Sequence, residues 1–213
     1  STDDITSDTT PDFTISCESS ATVTLKEGLS SLGTGSCTGG TVTITSSVLS
    51  EGNHSIKASQ ADTAGNVSSE SSTLSITIDT TLPTITSVSS DKTNGSYTTG
   101  EVIDIDVTFS ETVTSTGSVT VTLETGATDR TCTFTVTSAS TGTCNYTVQA
   151  GDTTSDLEVS SIAGTIADTS GNAMTNFVPV TNLAANKAIV VDTTAPSVSI
   201  TAPLDLATVS GSS

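Results

Sequence analysis

The sequence predicts an all-β protein, a succession of antiparallel β-sandwiches, and three observations carry that prediction. Apolar residues alternate with Ser and Thr at period two along most of the chain, the mark of strands with one buried face. Clusters of Gly, Asn, Asp and Ser interrupt the alternation at short intervals, and no window holds helical spacing. A loop signature also recurs before a boundary signature. Asp62-Thr63-Ala64-Gly65-Asn66 precedes a strand and Asp79-Thr80-Thr81-Leu82-Pro83; Asp168-Thr169-Ser170-Gly171-Asn172 precedes another and Asp192-Thr193-Thr194-Ala195-Pro196. Asp8-Thr9-Thr10-Pro11 lies near the start. Such repetition indicates repeated modules.

The elements follow in chain order. Val23 and Leu25 share a face of Thr22–Leu25, and Val42 and Ile44 share one in Thr41–Ile44. Leu74, Ile76 and Ile78 form the next apolar face. Ile103, Ile105, Val107 and Phe109 alternate with Asp104, Asp106 and Thr108, so both aspartates point away from the core. Val119, Val121 and Leu123 repeat the device, and Pro196–Ile200 reads as one more strand. The Thr-Thr-x-Pro segments lack an amide donor at Pro and end sheet pairing. The boundaries are then an acidic linker over 1–9, a compact module over 10–79, a longer one over 80–192, and the opening of a third over 193–213.

Composition narrows the function. Hydrophobic residues make up 33% and aromatics 3%, with no Trp, which suits thin cores of Val, Ile, Leu and Ala. Five Lys and Arg face 23 Asp and Glu, a net charge of -18. Nucleic-acid and anionic-membrane partners need cationic surface and are excluded. The acidity fits a solvated surface, divalent cations or a cationic ligand. Nothing reads as a signal peptide or as a membrane-inserting run of about 18 apolar residues. The chain therefore reads as an excerpt of a longer exported protein, extracellular or at the cell surface.

Four cysteines, Cys17, Cys37, Cys132 and Cys144, form no CxxC, and the single His54 cannot complete a Cys/His zinc set. One pair in each module indicates two local disulfides. Antiparallel pairing about a turn near Ser138 would set Cys132 opposite Cys144 and Phe134 opposite Gly142, predicting a cross-strand Cys132–Cys144 bridge. Cys17 closes the first strand and Cys37 lies between strands of the same module, predicting Cys17–Cys37.

The first module resembles the bacterial immunoglobulin-like repeats of large surface adhesins and biofilm-associated proteins. The resemblance rests on Asp8–Pro11, Ala21–Leu25, Glu51-Gly52-Asn53-His54 and Ala61–Asn66. The second resembles a longer variant, through Val107-Thr108-Phe109-Ser110-Glu111, Tyr146–Asp152 and Ala167–Asn172. The resemblance implies tandem Ig-like antiparallel β-sandwiches in an extended extracellular fibre, and names no receptor. The cysteines depart from the common pattern.

The candidate chemistry is calcium. In an Ig-type module the loop after the second strand and the loop before the last share the pole where the chain enters. That would gather Glu111, Asp168 and Asn172 with linker Asp79, and Glu27, Asp62 and Asn66 with linker Asp8. Hard oxygen ligands in this number suit Ca²⁺. Asp-x-x-Gly-Asn is equally a good turn, because Asx side chains bond local amides and Gly supplies positive φ. Catalytic readings fare badly: a Ser-His-Asp site would need His54, which follows a surface turn. Gly33-Thr34-Gly35 precedes no helix that would cradle a phosphate. A Lys–Asn cross-link through Lys26, Lys57, Lys92 or Lys187 lacks a clear buried pair.

The reading is a non-enzymatic stalk or spacer of an exported surface protein, rigidified by calcium, with its surface receptor or matrix partner unidentified. A second reading is a ligand-binding adhesin module for a glycan or surface protein, with Tyr97 and Tyr146 as the available sugar platform. A third is an accessory module of an extracellular hydrolase. Residues 197–213 cannot bury their apolar face alone, so they are expected to be disordered or to add as a strand to a neighbouring molecule.

Overall fold

The computed structural model describes residues 4–201. Strand makes up 51% and helix 2%, so the all-β expectation holds. The first unit contains β1 (Ile5–Thr6), β2 (Asp12–Ser16), β3 (Thr22–Glu27), β4 (Ser30–Ser36), β5 (Thr41–Thr45), β6 (Gly52–Ala61) and β7 (Leu74–Ile78). One sheet runs β1-β7-β6-β3-β4, and the facing sheet is β2-β5. The alternation places Val23, Leu25, Ile44, Ile56 and Ile78 between them.

The second unit contains β8 (Ile85–Ser89), β9 (Gly95–Tyr97), β10 (Val102–Ser115), β11 (Val119–Glu124), β12 (Arg130–Phe134), β13 (Ala139–Thr147), β14 (Thr153–Thr154), β15 (Glu158–Ala163), β16 (Ile166–Asp168) and β17 (Ile189–Asp192). A single helical turn, α1 (Leu183–Asn186), precedes β17; Asn182 caps it, and Leu183 is fully buried. It is too short to show a helical period. Ile103, Ile105, Val107 and Phe109 face the core from β10, as their spacing requires.

The two units share a pairing scheme. In the first, β1 pairs parallel with β7, β2 with β5, and β3 with both β4 and β6. In the second, β9 pairs parallel with β17, β10 with β13, and β11 with both β12 and β15. The second unit adds β8 on the free side of β10, with Ile85 opposite Phe109. The first has no strand at the corresponding side of β2 among the described residues.

Three expectations are corrected. Residues 1–9 are not simply a linker: Ile5 and Thr6 pair with Thr77 and Ile78, so this stretch belongs to the first unit's sheet. A two-residue strand with one apolar position leaves no period to read. In 193–213, the described residues 193–201 carry no strand, so Pro196–Ile200 is unpaired here; the rest lies outside the described residues.

The third correction concerns the disulfides. Both expected pairs are bonded, with Cα–Cα separations of 6.0 Å for Cys17–Cys37 and 5.6 Å for Cys132–Cys144. The hairpin argument for the second pair does not hold. β12 ladders with β11 and β13 with β10, so the chain turns at Ser138 and changes sheets. Cys132–Cys144 therefore joins the two sheets. Cys17 follows β2 and Cys37 follows β4, so the first bridge does the same. Phe134 does meet Gly142, where a Cβ would come within 2.1 Å of the ring, and only glycine admits that contact.

Candidate functional site

The repeated Asp-x-x-Gly-Asn loops have one geometry. Asp168 Oδ1 accepts the Ser170 and Asn172 amides, each at 2.8 Å, and Oδ2 accepts Asn172 Nδ2 at 2.8 Å. Asp62 Oδ1 accepts the Ala64 amide at 2.9 Å and the Asn66 amide at 2.8 Å, and Oδ2 accepts Asn66 Nδ2 at 2.8 Å. Gly65 and Gly171 take φ of 89° and 90°, a region that favours glycine. Turn chemistry therefore accounts for both loops as local structure. The Asn66 amides hold Asp62 below the usual carboxylate range.

Only the second loop reaches across to the segment between the units. Asp79 follows β7, and its amide donates to the Thr6 carbonyl at 2.9 Å. Asp79 Oδ2 accepts Ser170 Oγ at 2.9 Å, and the Asp79 carbonyl accepts Asn172 Nδ2 at 2.8 Å. From the first unit, Glu51 accepts the Thr80 amide at 2.8 Å and the Thr80 and Thr81 hydroxyls. Residues 79–81 are thus gripped from both sides. Glu51 and Ser170 lie in motifs of the sequence but were not read as junction residues; the two-residue step from Asp168 to Ser170 is ordinary turn spacing and carries no sign of a distant partner.

Glu111 completes an acidic cluster there. Ligand oxygens of Asp79, Glu111 and Asp168 lie within 4.8 Å of one another. Burial, followed by the Asp168 and Asp79 charges, raises the Glu111 carboxyl above its ordinary value. Asn172 Nδ2 donates to the Asp79 carbonyl and to Asp168 Oδ2, tying the loop to the cluster. The set that fits a hard cation is three carboxylates with water.

The matching set in the first unit does not assemble. Thr22 pairs with Ala61 and Glu27 with Ile56, so Glu27 and Asp62 stand at opposite ends of β3. Five residues of strand separate Thr22 from Glu27, about 17 Å. Asp8 lies between β1 and β2, at the Glu27 end, where its carboxylate accepts the Thr10 amide. The counterpart of Asp79 is therefore not Asp8. The strands are visible in the sequence, but which pole each loop occupies depends on the register.

Glu27 has another partner. His54, nearly buried, directs Nδ1 to the Glu27 carboxylate at 3.0 Å and Nε2 to the Ser50 carbonyl at 2.8 Å. Both neighbours accept, which favours the doubly protonated ring. The Ser50 carbonyl, then Glu27, raise the His54 pKa above 6.5, while His54 lowers Glu27 below 4.5. The His54 contribution is complete below 6.5 and is lost as pH rises through its raised value. That of Glu27 is present above 4.5 and is lost as pH falls through its lowered value. The urea midpoint of the first unit should plateau between pH 4.5 and 6.5 and fall above it. His54→Gln should flatten the alkaline limb; a wild-type midpoint that does not change above pH 6.5 contradicts this pairing.

The remaining sequence candidates resolve as structure. Asp104 Oδ2 accepts the Asp91 amide at 2.6 Å, and Asp106 Oδ1 accepts the Thr143 hydroxyl at 2.6 Å, both half-buried on the outer face of β10. Burial works to raise Asp104, but the Asp91 amide and its own amide hold it low. Tyr146 is 2% exposed, which removes it as a sugar platform. Lys26 and Lys57 reach Glu70, and Lys187 donates to the Lys92 carbonyl. No described helix is long and apolar enough to cross a membrane.

Comparison with curated proteins gave no match. Residues 1–80 match the family model of the bacterial Ig-like domain. Domains of this kind are structural modules of surface proteins and are generally non-enzymatic. The two disulfides fit an oxidising, extracellular setting. The first unit, with its paired sheets and the match over its length, is similar to the bacterial Ig-like domain.

Proposed function

We propose that this chain is a spacer segment of an exported bacterial surface protein, made of tandem Ig-like modules whose junction is stiffened by calcium. The observation that carries the reading is the grip on residues 79–81 by Glu51 on one side and by Ser170 and Asn172 on the other. Contacts between domains of one chain are usually modest, so motion is the default unless something fixes the junction. Here three carboxylates crowd that point. Burial, and then the charges of Asp168 and Asp79, raise the Glu111 carboxyl, so its ionisation costs stability as pH rises through its value. A divalent cation would replace repulsion by attraction. A Ser/Thr-rich, acidic exterior suits a spacer that stays soluble without a partner.

Calcium should raise the melting temperature of the chain, and stabilisation should reach about 2.7 kcal/mol at one hundred times the dissociation constant. Glu111→Gln is the discriminating variant, because the Glu111 side chain makes no hydrogen bond among the described residues that the fold would miss. It should leave the calcium-free melt unchanged or slightly raised and abolish the calcium response. A melt indifferent to calcium and chelator removes the cation from the account and leaves the hydrogen bonds alone at the junction.

A further inference from the structure

Two strand edges with the same neighbours differ in what covers them. Ala58 and Gln60 on β6 lie opposite Leu25 and Val23 of β3; Val159 and Ile162 on β15 lie opposite Leu123 and Val121 of β11. The extra residue of β15, Ser160, sits at a register shift, so Val159 and Ile162 both turn their backbone groups away from β11. In the first unit that outer side is closed. The Ala58 carbonyl accepts the Ser71 amide at 2.8 Å, and the Gln60 carbonyl accepts the Ser68 amide at 2.9 Å. The Ala58 and Gln60 amides donate to Ser71 Oγ and Ser68 Oγ at 3.0 and 3.1 Å. In the second unit the Asn182 side chain serves Val159, with Oδ1 accepting its amide at 3.3 Å and Nδ2 donating to its carbonyl at 2.9 Å. Among the described residues no group takes the outer side of Ile162.

The route of the chain causes the difference. After β15 it crosses to β10 as β16, and later the Val180 and Thr181 amides bond to Ile85 and Thr86. Phe177, Val178 and Pro179 run beside β15 without pairing with it, across a cleft of about 200 Å³. Val159 and Ile162 form its other wall, and Val178 is 72% exposed. An open strand edge thus stands beside an apolar slot. The rim is acidic: Glu124 and Glu158 lie directly opposite each other on β11 and β15. Like charges in that position repel. The one cation on β11, β12 and β15 is Arg130, and its Nε turns to the buried Asp152.

We propose that this cleft binds an extended segment of a partner protein in which aliphatic side chains alternate with Lys or Arg. The backbone of the segment pairs with β15 at Ile162, where main-chain hydrogen bonds supply affinity and the alternation selects the face. Its aliphatic side chains point inward, between Ile162 and Phe177. Its cationic side chains point outward and stand diagonal to Glu158 and Glu124, offsetting their repulsion. A second copy of this chain is a poor occupant, because 23 acidic residues face only five Lys and Arg in each. The inference does not depend on the cation at the junction.

Nuclear magnetic resonance titration of the whole isotope-labelled chain tests it, with synthetic hexapeptides as probes. A peptide of alternating Val and Lys should shift the amide resonances of Ser161, Ile162 and Val178. Replacing its valines by serine should weaken binding at least about tenfold, since each aliphatic side chain buried contributes that much. The double variant Glu124→Gln, Glu158→Gln should weaken binding of the valine–lysine peptide about fivefold and flatten its salt dependence. Both residues are exposed, and glutamine keeps an oxygen for the Gly126 amide and for Asn182 Nδ2, so the unit stays folded. No shift at Ile162 with millimolar peptide overturns the proposal. Equal binding of the serine–lysine peptide overturns it too, because attraction to an acidic surface would then be enough. Unchanged affinity in the double variant contradicts the cationic occupant. Shifts at Ile162 on concentrating the chain alone would assign the edge to a second copy and overturn it as well.

Discussion

Replacing Asp152 by alanine is expected to destabilise the second unit by roughly 3 kcal/mol, at the low end for breaking a buried ion pair. Asp152 is 1% exposed. Its Oδ1 accepts Arg130 Nε at 2.8 Å; its Oδ2 accepts the Tyr146 hydroxyl at 2.6 Å and the Gln149 amide at 2.9 Å. Burial works to raise its pKa, but Tyr146, Gln149 and Arg130 together hold it below the usual range. Burial and then Asp152 push the Tyr146 phenol upward, so it stays a donor. Without the carboxylate, the buried Tyr146 phenol loses its acceptor in the interior, at about 1–3 kcal/mol, while Gln149 is exposed and its amide can turn to water. Arg130 is partly exposed and recovers water, which moderates the loss. Asp152→Asn keeps an acceptor for Tyr146 and should cost less than alanine. The Asp152 contribution is present above 3.8 and is lost as pH falls through its lowered value. Urea unfolding of both variants checks this; a loss under about 1 kcal/mol for alanine would contradict it.

Reduction of the disulfides should cost each unit about 3 kcal/mol in the chain-entropy model. The consequence should be unequal. Among the described residues, the contiguous buried cluster of the first unit holds seven side chains and that of the second twenty-four. A thin core leaves a small domain dependent on its staple. The first unit should therefore unfold first under reductant, followed by a separate transition of the second. Both tyrosines, Tyr97 and Tyr146, lie in the second unit, so a near-ultraviolet tyrosine signal follows that unit alone, and hydrogen exchange read by residue follows both. Equal loss of protection in Phe13–Ile78 and Ile85–Val191 would contradict the inequality.

Much of the fold was legible because each strand carries its own evidence. Val119, Val121 and Leu123 must share a face whatever surrounds them, and β11 buries all three. The cysteine pairs were legible for a similar reason, since each lies within one unit. The partner of a strand is a different kind of fact. Nothing in 130–147 distinguishes a hairpin from a turn between sheets; β10 and β11, more distant in sequence, decide it by offering edges to β13 and β12. The site divided along the same line. Asp168 and Asn172 were legible as a loop, and their meeting with Asp79 and Glu111 followed from the pole they share. Glu27 and Asp62 failed because the register of β3 on β6 sends them to opposite ends. His54 was read as a surface residue; a lone histidine after a turn gives no sign of a carboxylate waiting 27 positions earlier.

The junction is the central claim, and small-angle scattering tests it most directly. Scattering from the chain and from Glu111→Gln should be recorded with calcium and with chelator. The account predicts a narrow distribution of conformations for the native chain in calcium, a broader one in chelator, and the broader one for Glu111→Gln in both. Identical profiles under all four conditions would show that the carboxylates of Asp79, Glu111 and Asp168 do not hold a cation that governs the angle between the units.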